Sequence, residues 1–300
     1  MTSYLIVLNK DDDTVSFVDE PSGKVIQTIG VGNNPHEVAA TSDGAKAFVS
    51  NAGSNSITVF DMHELSVIDT IEHPEFNFPH EGKITKSGKL ILASTYANKV
   101  FIIDTDSHVI TNVIAAQRMS HMVALAPDEK LAYISNIGAN SYSILDVEQE
   151  SWIAHIPVGR SPEGIEVSPD GKWIYVANQD DNLVYIINAA NNSLEGRVRT
   201  SDVPIRVAFS PDSRLAFVPN RVGNCVSVID VERKLEIKRI PVGHWPGGTA
   251  FNGKGERAYV ANNKTNDISV IDVPALKEVG RIDAGIHPDG MIYCEVNQKS

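Results

Sequence analysis

From Ile156 to Asn188 the chain reads IPVGRSPEGIEVSPDGKWIYVANQDDNLVYIIN. Short runs of β-branched and other apolar residues alternate with Pro, Gly, Asp and Asn, and no 3.6-residue periodicity is long enough for a helix. The stretch predicts four strands: PEGIEVS after the proline, WIYVAN after a PDG-type turn, LVYIIN, and an IPVG-type run leading into the next unit. Working outward, counterparts of WIYVAN recur as YLIVLN, AFVSN, LILAST, AYISN, AFVPN and AYVAN. With WIYVAN itself, the seven end at Asn9, Asn51, Thr95, Asn136, Asn178, Asn220 and Asn262, about 42 residues apart. A second column, Asp19, Asp61, Asp104, Asp146, Asn188, Asp230 and Asp272, keeps the same spacing. It falls where the third strand turns into the fourth, where a short polar side chain can bond the turn backbone.

Seven four-stranded units predict an all-β fold, a seven-bladed β-propeller with antiparallel blades, as one domain over residues 1–300. Residues 1–32 supply only the last three strands of a unit, and HPDGMIYCEV near the other end supplies a lone first strand. One blade is therefore expected to be built from both ends, closing the ring.

Composition bounds the function. The chain of 300 residues is 42% hydrophobic and 21% charged, which excludes disorder, collagen and coiled coil. Its 38 acidic against 26 basic residues give a net charge of −12, and no Lys/Arg run gathers the positive charge, so nucleic acid is not an expected partner. No apolar run is long enough for a membrane span, and MTSYLIVLNKDDD lacks the basic leader and apolar stretch of a signal peptide. A cytoplasmic protein acting on a small molecule, away from membranes, is expected; the chain does not set its oligomeric state. Cys225 and Cys294 are too few for a disulfide framework and are expected to be buried thiols. No Gly-rich phosphate loop or GxSxG elbow is present.

The units YVANQDDNLVYIIN and YVANNKTNDISVID, and IPVG followed by Pro, resemble those of the YVTN-repeat family of seven-bladed propellers over the whole chain. That resemblance implies the fold; propellers of this kind include scaffolds, lactonases, lyases and copper enzymes.

In a propeller the first strand of each blade is innermost, so the residue after each proline is expected at the mouth of the channel. That column reads His36, His80, His121, Glu163, Ile205, Gly247 and Asp289, with Ser120 replacing the proline of the third blade. The preceding column contains Trp245 and His287, and the following one Glu37, Glu81 and Arg206. Imidazoles converging with carboxylates suit a divalent metal ion, Zn, Mn, Fe, Ni or Mg, and His36, His80, His121, Glu163 and His287 are its candidate ligands. The alternative is that these histidines bond backbone and water in a solvent-filled channel.

Neighbouring side chains of a strand point to opposite faces, so Glu37 and Glu81 are expected behind their histidines, bonding the far imidazole nitrogen or pairing at a blade interface. Arg206 is expected to fork onto a substrate anion or to bridge to one of those glutamates. Glu37, Glu81 and Arg206 are the candidate catalytic groups. Tyr96, Arg221, Trp245 and Asp289, with His244, are a candidate substrate rim, while His63, His73, His108 and His155 are assigned no role.

The Pro-His step at His36 and His80, and His121 after Ser120, also resembles the virginiamycin B lyase family. Its inner-strand histidines imply ring opening by elimination with a glutamate and a magnesium ion. YVAN replaces that family's WFTE-type segment, so its second-strand glutamate has no counterpart at Asn51 or Asn136. The expected function is a metal-dependent lyase or hydrolase, such as one opening a lactone, acting on a small anionic or carbonyl substrate. The alternative is a non-catalytic propeller that binds a protein or ligand.

Overall fold

Each repeat becomes one sheet because its strands are too short and too apolar to stand alone: Leu5, Ile6, Val7 and Leu8, for example, are all fully buried, on both faces of their strand. The computed structural model describes residues 2–297, so Met1 and residues 298–300 of the expected domain lie outside the described residues. Seven four-stranded antiparallel sheets form in chain order. Blade one spans residues 35–72, blade two 79–115, blade three 120–157, blade four 162–199, blade five 204–241 and blade six 246–283. Blade seven joins Pro288–Val296 to Thr2–Asn9, Thr14–Asp19 and Lys24–Gly30, closing the ring from both ends as the sequence predicts.

The core is divided. Seven apolar clusters lie one between each pair of adjacent blades, among the described residues. Between blades seven and one, Phe17 meets Phe60 edge to face at 5.5 Å, beside Ile6, Val49 and Cys294. Cys225 and Cys294 are buried free thiols. The outermost strands are the exposed ones: Ser151–Pro157 alternates exposed and half-buried residues, and Lys24–Gly30 is exposed almost throughout.

The aspartate column caps its turns: Asp19, Asp61, Asp104, Asp146, Asn188, Asp230 and Asp272 accept the backbone N–H of Ser22, His63, Ser107, Gln149, Ala190, Arg233 and Ala275. The asparagines ending the second strands do something else. Asn9, Asn51, Asn136, Asn220 and Asn262 are buried and donate across to hydroxyls of the third strand, as in Asn51 Nδ2 to Thr58 Oγ1 at 2.9 Å. In blade two the strand is Lys89–Ser94, so Ser94, and not Thr95, occupies that column. A serine replaces asparagine there, and the spacings on either side become 43 and 42 residues.

A third sevenfold device sets the channel mouth. The residue before each inner strand has left-handed backbone: Asn34, Phe78, Met119, Ser161, Val203, Trp245 and His287 all have φ between 50° and 60°. The N–H of each is accepted by a side chain of the preceding blade, in order Asp13, Asn55, Asn98, Asn140, Asn182, Asn224 and Asn266, at 2.7 to 3.1 Å. The carbonyl of each accepts the N–H of the residue after the second strand, as in Lys10 N to His287 O and Arg221 N to Val203 O. Two columns of side chains are thereby held at one rim.

Candidate functional site at the channel mouth

After each proline the inner strand slips register, between Pro35 and Glu37, Pro79 and Gly82, Ser120 and Val123, and Pro162 and Ile165. These bulges re-aim consecutive residues. The residue after the proline faces a cavity of about 400 Å³ on the loop-rich face, and the next residue faces a second cavity of about 400 Å³ on the opposite side of the disc. His36, His80, His121, Glu163 and Asp289 meet in the upper cavity, joined by Lys10, Tyr96, Arg206 and Arg221. Glu37 and Glu81 line the lower one, and Arg206 borders both.

The imidazoles form a row. His36 and His80 have ring centroids 5.1 Å apart, and His80 stacks on His121 at 3.7 Å. Phe78 stacks on His80 at 5.9 Å and tilts against His36 at 5.0 Å, with Tyr96 beyond it at 4.9 Å. All three histidines are buried. Burial pushes His36 down to about 3, against the attraction of Asp289. Burial likewise holds His80 and His121 well below the usual histidine range, helped by neighbouring imidazoles. The row is therefore neutral at pH 7. His121 Nδ1 is 3.0 Å from Thr95 Oγ1, whereas Nδ1 of His36 and Nδ1 of His80 are buried with no hydrogen-bond partner. Asp289 Oδ2 lies 3.5 Å from His36 Nδ1.

Charged groups fill the rest of the ring. Arg206 bridges Asp289 (Nη1 to Oδ1, 3.1 Å) and Glu37. It reaches both because blade six offers only Gly247, where a Cβ would stand 2.9 Å from Asp289 Oδ1 and 3.2 Å from Arg206 Nη1. Lys10 Nζ adds a 3.3 Å contact to Asp289, and Arg221 Nη2 bonds Glu163 at 2.9 Å. Burial pushes Asp289 up, but Arg206 and Lys10 outweigh it and hold its carboxyl well below the usual range. Burial raises Glu37 to about 7, against the pull of Arg206, and also raises Glu163 against Arg221.

Several expected contacts take another form. Glu37 and Glu81 do not bond the imidazoles, because the bulges turn them to the far side. Glu37 pairs with Arg206, and Glu81 accepts Val123 N–H at 2.9 Å and lies 3.2 Å from Lys83 Nζ, which also reaches Glu166 at 3.3 Å. Arg206 is engaged by two carboxylates, so it is not a free fork for a substrate. His287 sits outside the upper cavity, between Asp11 and Lys264, and Trp245 stands at the surface under the Lys264 ammonium. Sequence reasoning missed Lys10, Phe78, Thr95 and Ile137. Lys10, Thr95, Ile137 and Arg221 are one column, the residue after the second strand, and that column was the signal.

The donor types suit a divalent ion, since two buried imidazole nitrogens lack partners and a carboxylate is near. The arrangement does not: His80 and His121 lie face to face, and among the described residues no group of three or more His, Cys, Asp or Glu side chains is placed to hold a metal. A further cavity, of about 780 Å³, lies between outer loops of blades four to six on the opposite face. Its Asp170, Asp212 and Asp230 are committed to turns. Among the described residues no helix is long and apolar enough to cross a membrane.

Residues 106–205 match the family model described as "Lactonase, 7-bladed beta-propeller", and residues 14–127 match "YNCE-like beta-propeller". The second match takes in His36, His80 and His121, and the first His121 and Glu163. No curated protein matches the chain. Among solved structures, the chain is similar to a functionally unknown protein from Desulfotomaculum acetoxidans DSM 771, at 17% identity and a TM-score of 0.87, covering 98% of this chain and 99% of that one. It is similar to Kuenenia stuttgartiensis hydrazine synthase at 22% identity and a TM-score of 0.83, covering 90% and 92%. It is also similar to the dihydro-heme d1 dehydrogenase NirN, at 15% identity and a TM-score of 0.73, covering 96% and 74%. At these identities the likeness is one of fold, and with the two sequence matches it agrees with the seven-bladed β-propeller described above.

Proposed function

We propose that the upper cavity is the active site of a hydrolase or lyase that acts on a small anionic or carbonyl substrate, lactone ring opening being one such reaction. The observation that carries this reading is the pair of buried, unpartnered Nδ1 atoms on His36 and His80, two side chains that line a cavity open to solvent. A buried polar atom left without a partner is costly, and sites where one persists are often functional. Neutral imidazole supplies the lone pair that takes a proton from water or from a carbon beside a carbonyl. An entering anion strengthens that base, because nearby negative charge opposes the effect of burial. Lys10 and Arg221 supply positive charge toward the oxyanion that develops. The match over residues 106–205 to the lactonase description adds support for hydrolysis.

The same two nitrogens favour a second reading, in which His36, His80 and His121, with Glu163 or Asp289, hold a divalent ion after the stacked rings swing apart. Elemental analysis of untagged protein separates the two. A stoichiometric metal that disappears in His36→Ala and His80→Ala supports the metal reading; metal-free protein with full activity supports acid–base chemistry.

The functional test is a panel of small lactones and carboxylic esters assayed with the parent and with His80→Gln. A loss of about 10²–10⁴-fold in kcat with the fold intact is expected. Turnover unaffected by His80→Gln, or absent across the panel, would leave this face a binding surface without chemistry.

A further inference from the structure

The cavity wall is polarised around the ring. Blades two and three contribute Phe78, Tyr96, Met119 and Ile137, while blades five and seven contribute Arg206, Arg221 and Lys10. We infer that the site takes a small monocarboxylate bearing a planar apolar group. The ring of the ligand would extend the aromatic row at Phe78 and Tyr96, and its carboxylate would lie toward Lys10 and Arg221. This inference rests on the upper cavity being the ligand site, as proposed above, but not on any chemistry there.

Three observations carry it. First, Tyr96 is 53% exposed although it packs on Phe78, so the aromatic row ends in an uncovered face at the cavity. Aromatic rings add to such a row edge to face or offset, and each pair contributes beyond simple area burial.

Second, the charges lining the cavity are Lys10, Arg206 and Arg221 against Glu163 and Asp289. Arg206 is also offset by Glu37 behind it, so the spare capacity for an anion rests with Lys10 and Arg221. Arg206 is buried and doubly paired, but the side chains of Lys10 and Arg221 remain 26% and 34% exposed. An ammonium and a guanidinium carry three and five donors, more than the single contacts to Asp289 and Glu163 use.

Third, the two ends are held by different blades through the fixed rim columns described above. The distance between them is therefore set by the disc and not by a mobile loop.

The experiment is a binding titration by ligand-observed and protein-observed NMR with three probes: phenylacetate, acetate and benzyl alcohol. Phenylacetate is expected to bind about tenfold more tightly than either of the others, since each end supplies part of the free energy. Tyr96→Ala, at an exposed position, should weaken phenylacetate about tenfold and leave acetate unchanged. Lys10→Gln should weaken phenylacetate and leave benzyl alcohol unchanged. Equal binding of the three probes, indifference of phenylacetate to Tyr96→Ala, or no binding at millimolar concentrations would overturn the inference.

Turnover is not read in this titration. Probe selectivity together with turnover indifferent to His80→Gln would sink the catalytic reading alone. Histidine-dependent turnover without probe selectivity would sink this inference alone.

Discussion

His80 lies flat against His121, with ring centroids 3.7 Å apart and planes 25° from parallel. Both rings are buried, and the stack bridges blades two and three at the inner edge, where the strands are closest. Two cationic imidazoles could not share this arrangement without strong repulsion, so the geometry itself requires at least one neutral ring.

The stack should register as a coupling energy. In a double-mutant cycle of His80→Ala and His121→Ala, followed by urea unfolding, the interaction is expected at about 0.5–1.5 kcal/mol. Strict additivity of the two single changes would show that the rings merely adjoin.

The fold was legible because its determinants repeat: one residue type at one position in seven units leaves a periodic trace. The aspartate caps and the closing blade are of this kind. The asparagines capping the rim, from Asn55 to Asn266, repeat equally well but sit inside the variable turn after the second strand, where the sequence offers several Asn and Asp residues without indicating which one crosses to the next blade. The site was only half legible, for the opposite reason. His36, His80, His121, Glu163 and Asp289 were readable as one column. What each side chain does depends on breaks in the repeat: the bulge that turns Glu37 away from His36, and Gly247, which lets Arg206 reach across blade six.

Arg206 offers the largest electrostatic prediction. Its guanidinium holds Glu37 and Asp289 together, with all three side chains buried. Removing one partner of such a cluster leaves uncompensated buried charge, so Arg206→Met should cost about 3–5 kcal/mol. Adding Glu37→Gln and Asp289→Asn should recover much of it, because the orphaned charges then disappear. Failure of the triple variant to exceed the single one in urea unfolding would show that packing of the arginine stem, and not charge, dominates.

Val203 carries backbone strain. Its φ is 60° and the six equivalent residues lie between 50° and 60°, but among the seven it alone is β-branched, and β-branched side chains are least suited to the left-handed region. Val203→Asn should raise stability by about 1 kcal/mol, the side-chain-dependent part of the cost of that conformation. A lower thermal midpoint for the variant would mean that Val203 packing outweighs the strain.

Ring closure gives the last test. Gly290, on the strand supplied by the C-terminal end, passes so close to blade one that a Cβ there would stand 2.1 Å from the His36 carbonyl oxygen and 2.9 Å from Glu37 Cα. Both are backbone atoms, so no rotamer change relieves the clash. The same strand pairs with Thr2–Asn9, placing Ile292 opposite Ile6 and Cys294 opposite Tyr4. Pushing it outward would loosen both the blade-seven sheet and its apolar contact with blade one. Gly290→Val is therefore expected to cost about 1–3 kcal/mol or more. Gly280→Ala, where a Cβ meets nothing within 4 Å on an outer strand, should be neutral or stabilising by about 0.5–1 kcal/mol. The comparison is made by urea unfolding of the two variants beside the parent. If Gly290→Val matched the parent, the two ends of the chain would not be held as tightly as this approach of backbones requires.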